Sequence, residues 1–113
     1  MKTRKALKSE YRHHKSVMGV FQIKNLSNGK VWIEGNVDMD ARWNRHRSEL
    51  GFGSHRNREL QKDWDKEGAG QFQFSVLSHL EYRTEEGVNY ANEVKELYQL
   101  VIEEIGLDKA MMY

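Results

Sequence analysis

The dipeptide Asn28-Gly29 stands between two runs of alternating apolar and polar side chains, and this feature narrows the fold more than any other. Ahead of it, Gly19-Val20-Phe21-Gln22-Ile23-Lys24-Asn25 reads as a strand; behind it, Lys30-Val31-Trp32-Ile33-Glu34 reads as the return strand. Asn-Gly supplies the positive φ angles of a tight hairpin turn, so an antiparallel pair is expected. A later run, Gln71-Phe72-Gln73-Phe74-Ser75-Val76, alternates strictly and reads as a third, half-buried strand.

Helical spacing fills the remainder. Asp38 is a plausible N-cap and Gly51 a terminator, with Met39, Trp43 and Leu50 as the buried stripe between them. Asn57 caps a second helix whose Leu60 and Trp64 face inward, and Gly68-Ala69-Gly70 breaks it. A last helix runs from about Tyr90 to Ile105, with Val94, Leu97, Tyr98, Val101 and Ile105 at helical intervals. The order β-β-α-α-β-α points to an α+β fold, a small three-stranded antiparallel sheet flanked by helices. A chain of 113 residues has room for one domain, assigned to residues 16–113. Residues 1–15 read as a basic N-terminal helix or arm, with little apolar face of its own.

Charge is segregated along the chain, although the formal total is only +1. Residues 1–15 carry six basic side chains and one acidic one, and residues 40–62 carry six basic and three acidic. Residues 63–113 carry eleven acids against four bases. A near-neutral total therefore hides a basic region able to attract polyanions. The alternative at this point is that the basic head pairs with the acidic tail. No apolar run approaches the roughly 20 residues of a membrane span. The basic N-terminus lacks the apolar stretch of a secretory signal, so a cytoplasmic protein without membrane contact is expected. With no cysteine there is no disulfide, thiol nucleophile or cysteine-based zinc site.

Candidate chemistry concentrates in residues 42–62. On a helix, Arg42, Arg45, His46 and Glu49 share one stripe. Guanidinium forks suit phosphate oxygens, and an imidazole can move a proton near neutrality. A solvated face with Arg–Glu49 pairs is the competing reading. Ser54-His55-Arg56-Asn57-Arg58, with Lys62 beyond it, forms a second basic cluster at a helix start, where free N–H groups favour anions. An ordinary helix cap is the alternative there. The histidines have no metal-ligand spacing, and there is no Gly-rich phosphate loop and no Gly-x-Ser-x-Gly elbow.

Together these segments resemble the GIY-YIG nuclease family. Gly19-Val20-Phe21 resembles the opening Gly-Ile-Tyr strand, and Lys30-Val31-Trp32-Ile33-Glu34-Gly35 sits where the Tyr-Ile-Gly strand belongs. Arg42-Trp43-Asn44-Arg45-His46 matches the Arg-Trp-x-x-His helix, with His55, Asn57, Leu60-Gln61 and Trp64 following in order. Phe72-Gln73-Phe74-Ser75-Val76-Leu77 matches the third strand, so the match spans about residues 19–77.

The resemblance implies hydrolysis of DNA phosphodiesters with one divalent metal, Mg²⁺ or Mn²⁺. It casts Arg42 as phosphate stabiliser, with His46 and His55 in the proton network. Arg45, Arg56, Asn57, Arg58 and Lys62 are then the nucleic-acid contacts. The departures are specific. Phe21 and Trp32 stand at the family's tyrosine positions, Glu34 stands at the glycine, and Tyr98 aligns with the metal-binding glutamate. Glu96 and Glu93 are the nearest replacement ligands. Phenylalanine has no proton to transfer, and an indole donates but cannot act as a base. The expectation is a nucleic-acid-binding domain, directed at DNA, with phosphodiesterase activity weakened or lost. The alternative is an active endonuclease with Arg42 on the phosphate and His46 as base. A second alternative is a protein-interaction domain.

Overall fold

The first strand of the sheet, β1 (Met18–Asn25), is also its centre. β2 (Val31–Asn36) and β3 (Phe72–Leu80) both pair with it antiparallel, in the order β2-β1-β3. The structure, a computed structural model, describes residues 16–113, and the expected basic arm over residues 1–15 lies outside the described residues. α1 (Met39–Gly51) and α2 (Arg58–Glu67) precede β3, and α3 (Tyr90–Ile105) follows it. The α+β reading therefore holds, with three α-helices around a three-stranded sheet among the described residues.

A central strand is covered on both faces, and the β1 sequence suits that position. Phe21 and Ile23 turn to one face and join Met39, Leu50, Leu60 and Phe72, the apolar sides of α1 and α2 and the start of β3. Val20 turns to the other face and joins Val31, Ile33 and Val101, beneath α3. Each fully buried side chain of this size contributes roughly 1.5–3 kcal/mol. Gly19 is required by close approach: a Cβ there would lie 2.1 Å from the Ser78 carbonyl oxygen. One residue on, the β1–β3 register shifts between Val20 and Phe21. Gly35 plays the corresponding part for α3, since a Cβ would meet Val94 Cγ1 at 2.9 Å. That contact draws the Val94–Tyr98 face of α3 onto edge strand β2.

The expected caps hold. Ala41 N–H donates to Asp38 Oδ1 at 3.1 Å, and Leu60 N–H donates to Asn57 Oδ1 at 2.9 Å. Other boundaries move for local reasons. Inside the pair closed by Asn25 N–H donating to the Lys30 carbonyl, the hairpin is a four-residue loop, Leu26 to Gly29, rather than a two-residue Asn-Gly turn. Of its residues only Gly29 has positive φ, +79°. Asn25 organises the loop, its Oδ1 accepting from Ser27 N–H and Ser27 Oγ–H at 3.0 and 2.6 Å. α1 continues through Gly51, and its last turn is closed by Phe52 N–H and by Gly53 at φ +74°. β3 runs to Leu80 because residues beyond Val76 keep pairing with β1. The buried residues of α1 are Met39, His46 and Leu50. Trp43, expected among them, sits half-buried at the rim and stacks on Phe74 at 5.3 Å.

The chain's final residues brace the other end of β2. Met112 bridges Val31, and Tyr113 N–H donates to the Val31 carbonyl at 2.9 Å. The Tyr113 phenol donates to Asp63 at 2.6 Å and accepts from Asn25 Nδ2 at 3.0 Å, joining hairpin, α2 and tail. Burial and the Asp63 carboxylate push this phenol up to about 12. Among the described residues, no helix is long and apolar enough to cross a membrane.

Candidate functional site

The polar centre of the molecule is built around Glu34 near the end of β2. Register places it opposite Phe21 and on the same face as Trp32, two residues before it. Its carboxylate takes donors from three side chains on two elements, α1 and β2 itself. Arg42 of α1 donates Nε–H to Oε2 at 2.5 Å and an Nη2–H to Oε1 at 3.2 Å, a two-pronged pair. Trp32 Nε1–H donates to Oε1 at 3.0 Å. His46 Nε2 lies 3.0 Å from the same oxygen.

The histidine roles follow from one backbone group. Asn57 N–H donates to His55 Nδ1 at 3.0 Å, so that nitrogen carries no hydrogen. Neutral His55 then bears its proton on Nε2 and donates it to His46 Nδ1, 2.8 Å away. His46 in turn bears its proton on Nε2 and donates it to Glu34. The result is a one-way chain: Asn57 N–H, His55, His46, Glu34. Both nitrogens of His46 are committed within it, and the side chain is only 1% exposed. Rings close the chain in: Phe21 lies 6.1 Å from His46, and Trp32 lies 5.4 and 5.5 Å from His46 and His55. Gln61 fixes the loop from below, accepting from His55 N–H and donating to the Leu50 carbonyl.

These contacts set the charges. Burial works to raise the Glu34 carboxyl, but hydrogen bonds from His46, Arg42 and Trp32 together outweigh it and hold it at about 2, against an ordinary 4.5. The hydrogen bond to Glu34 raises Arg42 in turn. Burial, and then the neighbouring His46, lower His55. A carboxyl depressed on folding gives stability that is whole above pH ~4.5 and is lost as pH falls towards 2. With the Glu34 side chain 14% exposed, solvent screening reduces this contribution to about 2 kcal/mol. Urea unfolding at pH 6 and pH 2.5 should show that loss in the wild type, in excess of the loss in Glu34→Gln. Equal losses in the two proteins would refute the assignment.

The predicted site residues divide into three groups. Arg42, His46 and His55 come together with Phe21 and Trp32, as the motif order implied. Arg45 does not join them; it is 70% exposed and pairs with Glu49 along α1, the solvated alternative. Asn57 spends its side chain on the α2 cap. Arg56, Arg58 and Lys62 line an open cavity of about 700 Å³ beside the α1–α2 loop. Arg56 also reaches a second cavity, about 580 Å³, between β2 and α3, with its guanidinium over the Trp32 ring at 5.6 Å.

Neither Glu93 nor Glu96 lines the cleft that holds Arg42; Glu93 pairs with Arg83 instead. Lys95 and Tyr98 occupy the α3 wall there. Among the described residues, no three His, Asp or Glu side chains gather in a metal-binding group. The Glu34 carboxylate is already filled by N–H donors, one of them cationic, so the donor set does not fit a divalent ion. Sequence reasoning missed the hub role of Glu34 and the support from Gln61. The two-residue alternation from Trp32 to Glu34 was the available signal for the first.

No protein-family model matches the chain. Over 64 residues it is 38% identical to intron-associated endonuclease 1 of Enterobacteria phage T4, a match covering 57% of this chain. The match spans 26% of that relative's length. Among solved structures, a mutant of the catalytic domain of intron endonuclease I-TevI superposes with a TM-score of 0.67 at 30% identity, covering 86% of this chain and 91% of that one. A second structure, the catalytic domain of homing endonuclease I-TevI, gives 0.66 at 29% identity over 85% and 95%.

Proposed function

The chain belongs to the GIY-YIG nuclease family, and from that membership we propose that it is a DNA-binding domain in which phosphodiester hydrolysis is weakened or lost. The observation that carries this reading is the Glu34–Arg42 pair. A guanidinium that offers two N–H groups to a carboxylate of its own chain has them already engaged when a phosphate arrives. Three further features support it. Phe21 and Trp32 supply no hydroxyl at the family's tyrosine positions, His46 has no free nitrogen, and the cleft's donors do not suit a metal. Affinity would come from Arg56, Arg58 and Lys62, which make no hydrogen-bonded ion pair among the described residues. The relatives are named as endonucleases of introns, which favours DNA over other polyanions as the partner.

The second reading is an active endonuclease, with Arg42 on the phosphate, His46 as base and Mg²⁺ or Mn²⁺ as cofactor. It is favoured by coverage of 91% of a catalytic domain. Supercoiled plasmid incubated with either ion separates the two. The expected outcome is a shift in mobility without nicking. Metal-dependent nicking that disappears in Arg42→Ala would establish the endonuclease instead.

A further inference from the structure

The cleft between β2 and α3 differs in charge from a metal site. Four charged side chains line it: Glu34, Arg42, Arg56 and Lys95. Glu34 and Arg42 cancel each other at hydrogen-bond distance. The groups left to act on a ligand are therefore two cations. Arg56 Nη2 stands 3.9 Å from Glu34, beyond hydrogen-bond reach, and its side chain is 67% exposed. The Trp32 ring beneath its guanidinium holds it in place without consuming its donors. Lys95 is exposed on α3 and makes no ion pair among the described residues.

We propose that this cleft holds a backbone phosphate directly on Lys95 and Arg56, with no divalent ion between protein and nucleic acid. A divalent cation entering here would meet two uncompensated positive charges and no free carboxylate, so Coulomb repulsion opposes it. A phosphate meets the opposite field. Arg56 lines both cavities and so links the cleft to the one beside the α1–α2 loop, where Arg58 and Lys62 outnumber a single acid, Asp65. Lys95, Arg56, Arg58 and Lys62 together offer cations to successive phosphates of one strand. Trp32 and Tyr98 wall the cleft and give the sugar beside the phosphate an apolar surface. This inference rests on the DNA-binding reading above and adds to it the place where the strand sits and its independence of metal.

Fluorescence anisotropy with a short labelled DNA duplex tests it, across a salt series, in EDTA and in Mg²⁺ at matched ionic strength. Wild-type binding should persist in EDTA and be no weaker there than in Mg²⁺, which itself competes for the DNA phosphates. Lys95→Gln should weaken binding about 3- to 10-fold at low salt and reduce the slope of log affinity against log salt by about 0.9, as the loss of one phosphate contact predicts. Lys95→Arg should restore both. A wild type that binds only with Mg²⁺ overturns the proposal. So does a Lys95→Gln variant with unchanged affinity and slope beside a weakened Lys62→Gln, a result that leaves DNA binding itself intact. A wild type that binds no DNA at any salt concentration overturns the underlying reading as well.

Discussion

Glu34→Ala is expected to lower the free energy of unfolding by about 3 kcal/mol while raising affinity for DNA. The stability loss follows from what the substitution leaves behind. His46 Nε2–H, fully interior, loses its acceptor, and so does Trp32 Nε1–H. A buried donor without a partner costs about 1–3 kcal/mol, whereas Arg42, one-fifth exposed, can turn to water. The affinity gain follows from the same event, because the released guanidinium becomes available to a phosphate. Opposite signs on the two measurements distinguish this from ordinary loss of a core residue, which would weaken both. Urea unfolding with an unchanged m-value gives the first quantity, and anisotropy at constant salt gives the second. A stability change under 1 kcal/mol, or affinity that falls with stability, would show that Glu34 does not restrain Arg42.

Simultaneous replacement of Arg56, Arg58 and Lys62 by alanine should reduce DNA affinity by roughly 10²- to 10³-fold at low salt. Removing three phosphate contacts should also flatten the log–log salt slope by about 2.7. The loss should be uniform across sequences, since phosphate contacts carry no base information. All three side chains are exposed, so the variant should unfold at nearly the wild-type urea concentration. Retained affinity in a folded triple variant would move the interface elsewhere and count against these three contacts.

The elements legible in the sequence were those decided by local pattern. Alternation marked the strands, and Asp38 and Asn57 announced the helix starts because a capping side chain acts within three residues of itself. The clustering of Arg42, His46 and His55 with Phe21 and Trp32 was legible only through motif order, since four elements contribute to it. What escaped was tertiary. His46 read as part of a polar stripe, yet it is buried, because its donor chain ends on a carboxylate from a different element. Nothing local to position 46 announces that acceptor. The hairpin went differently because Asn25 folds the loop through its own side chain, a contribution that the Asn-Gly signal does not contain. The carboxylates sought on α3 fell outside the cleft because Gly35 lets Val94 and Tyr98 face β2, turning Glu93 and Glu96 away.

Phe21 lies wholly within the interior, and among the described residues no buried side-chain polar atom lacks a partner. A hydroxyl added at that ring would enter a packed interior beside Phe74 and His46, and both nitrogens of His46 are already engaged. A tyrosine at position 21 would thus bury a hydroxyl without a ready partner, and removing Glu34 to make room strands the His46 donor. Positions 21 and 34 are therefore coupled, and the effects of substitutions at the two should not add.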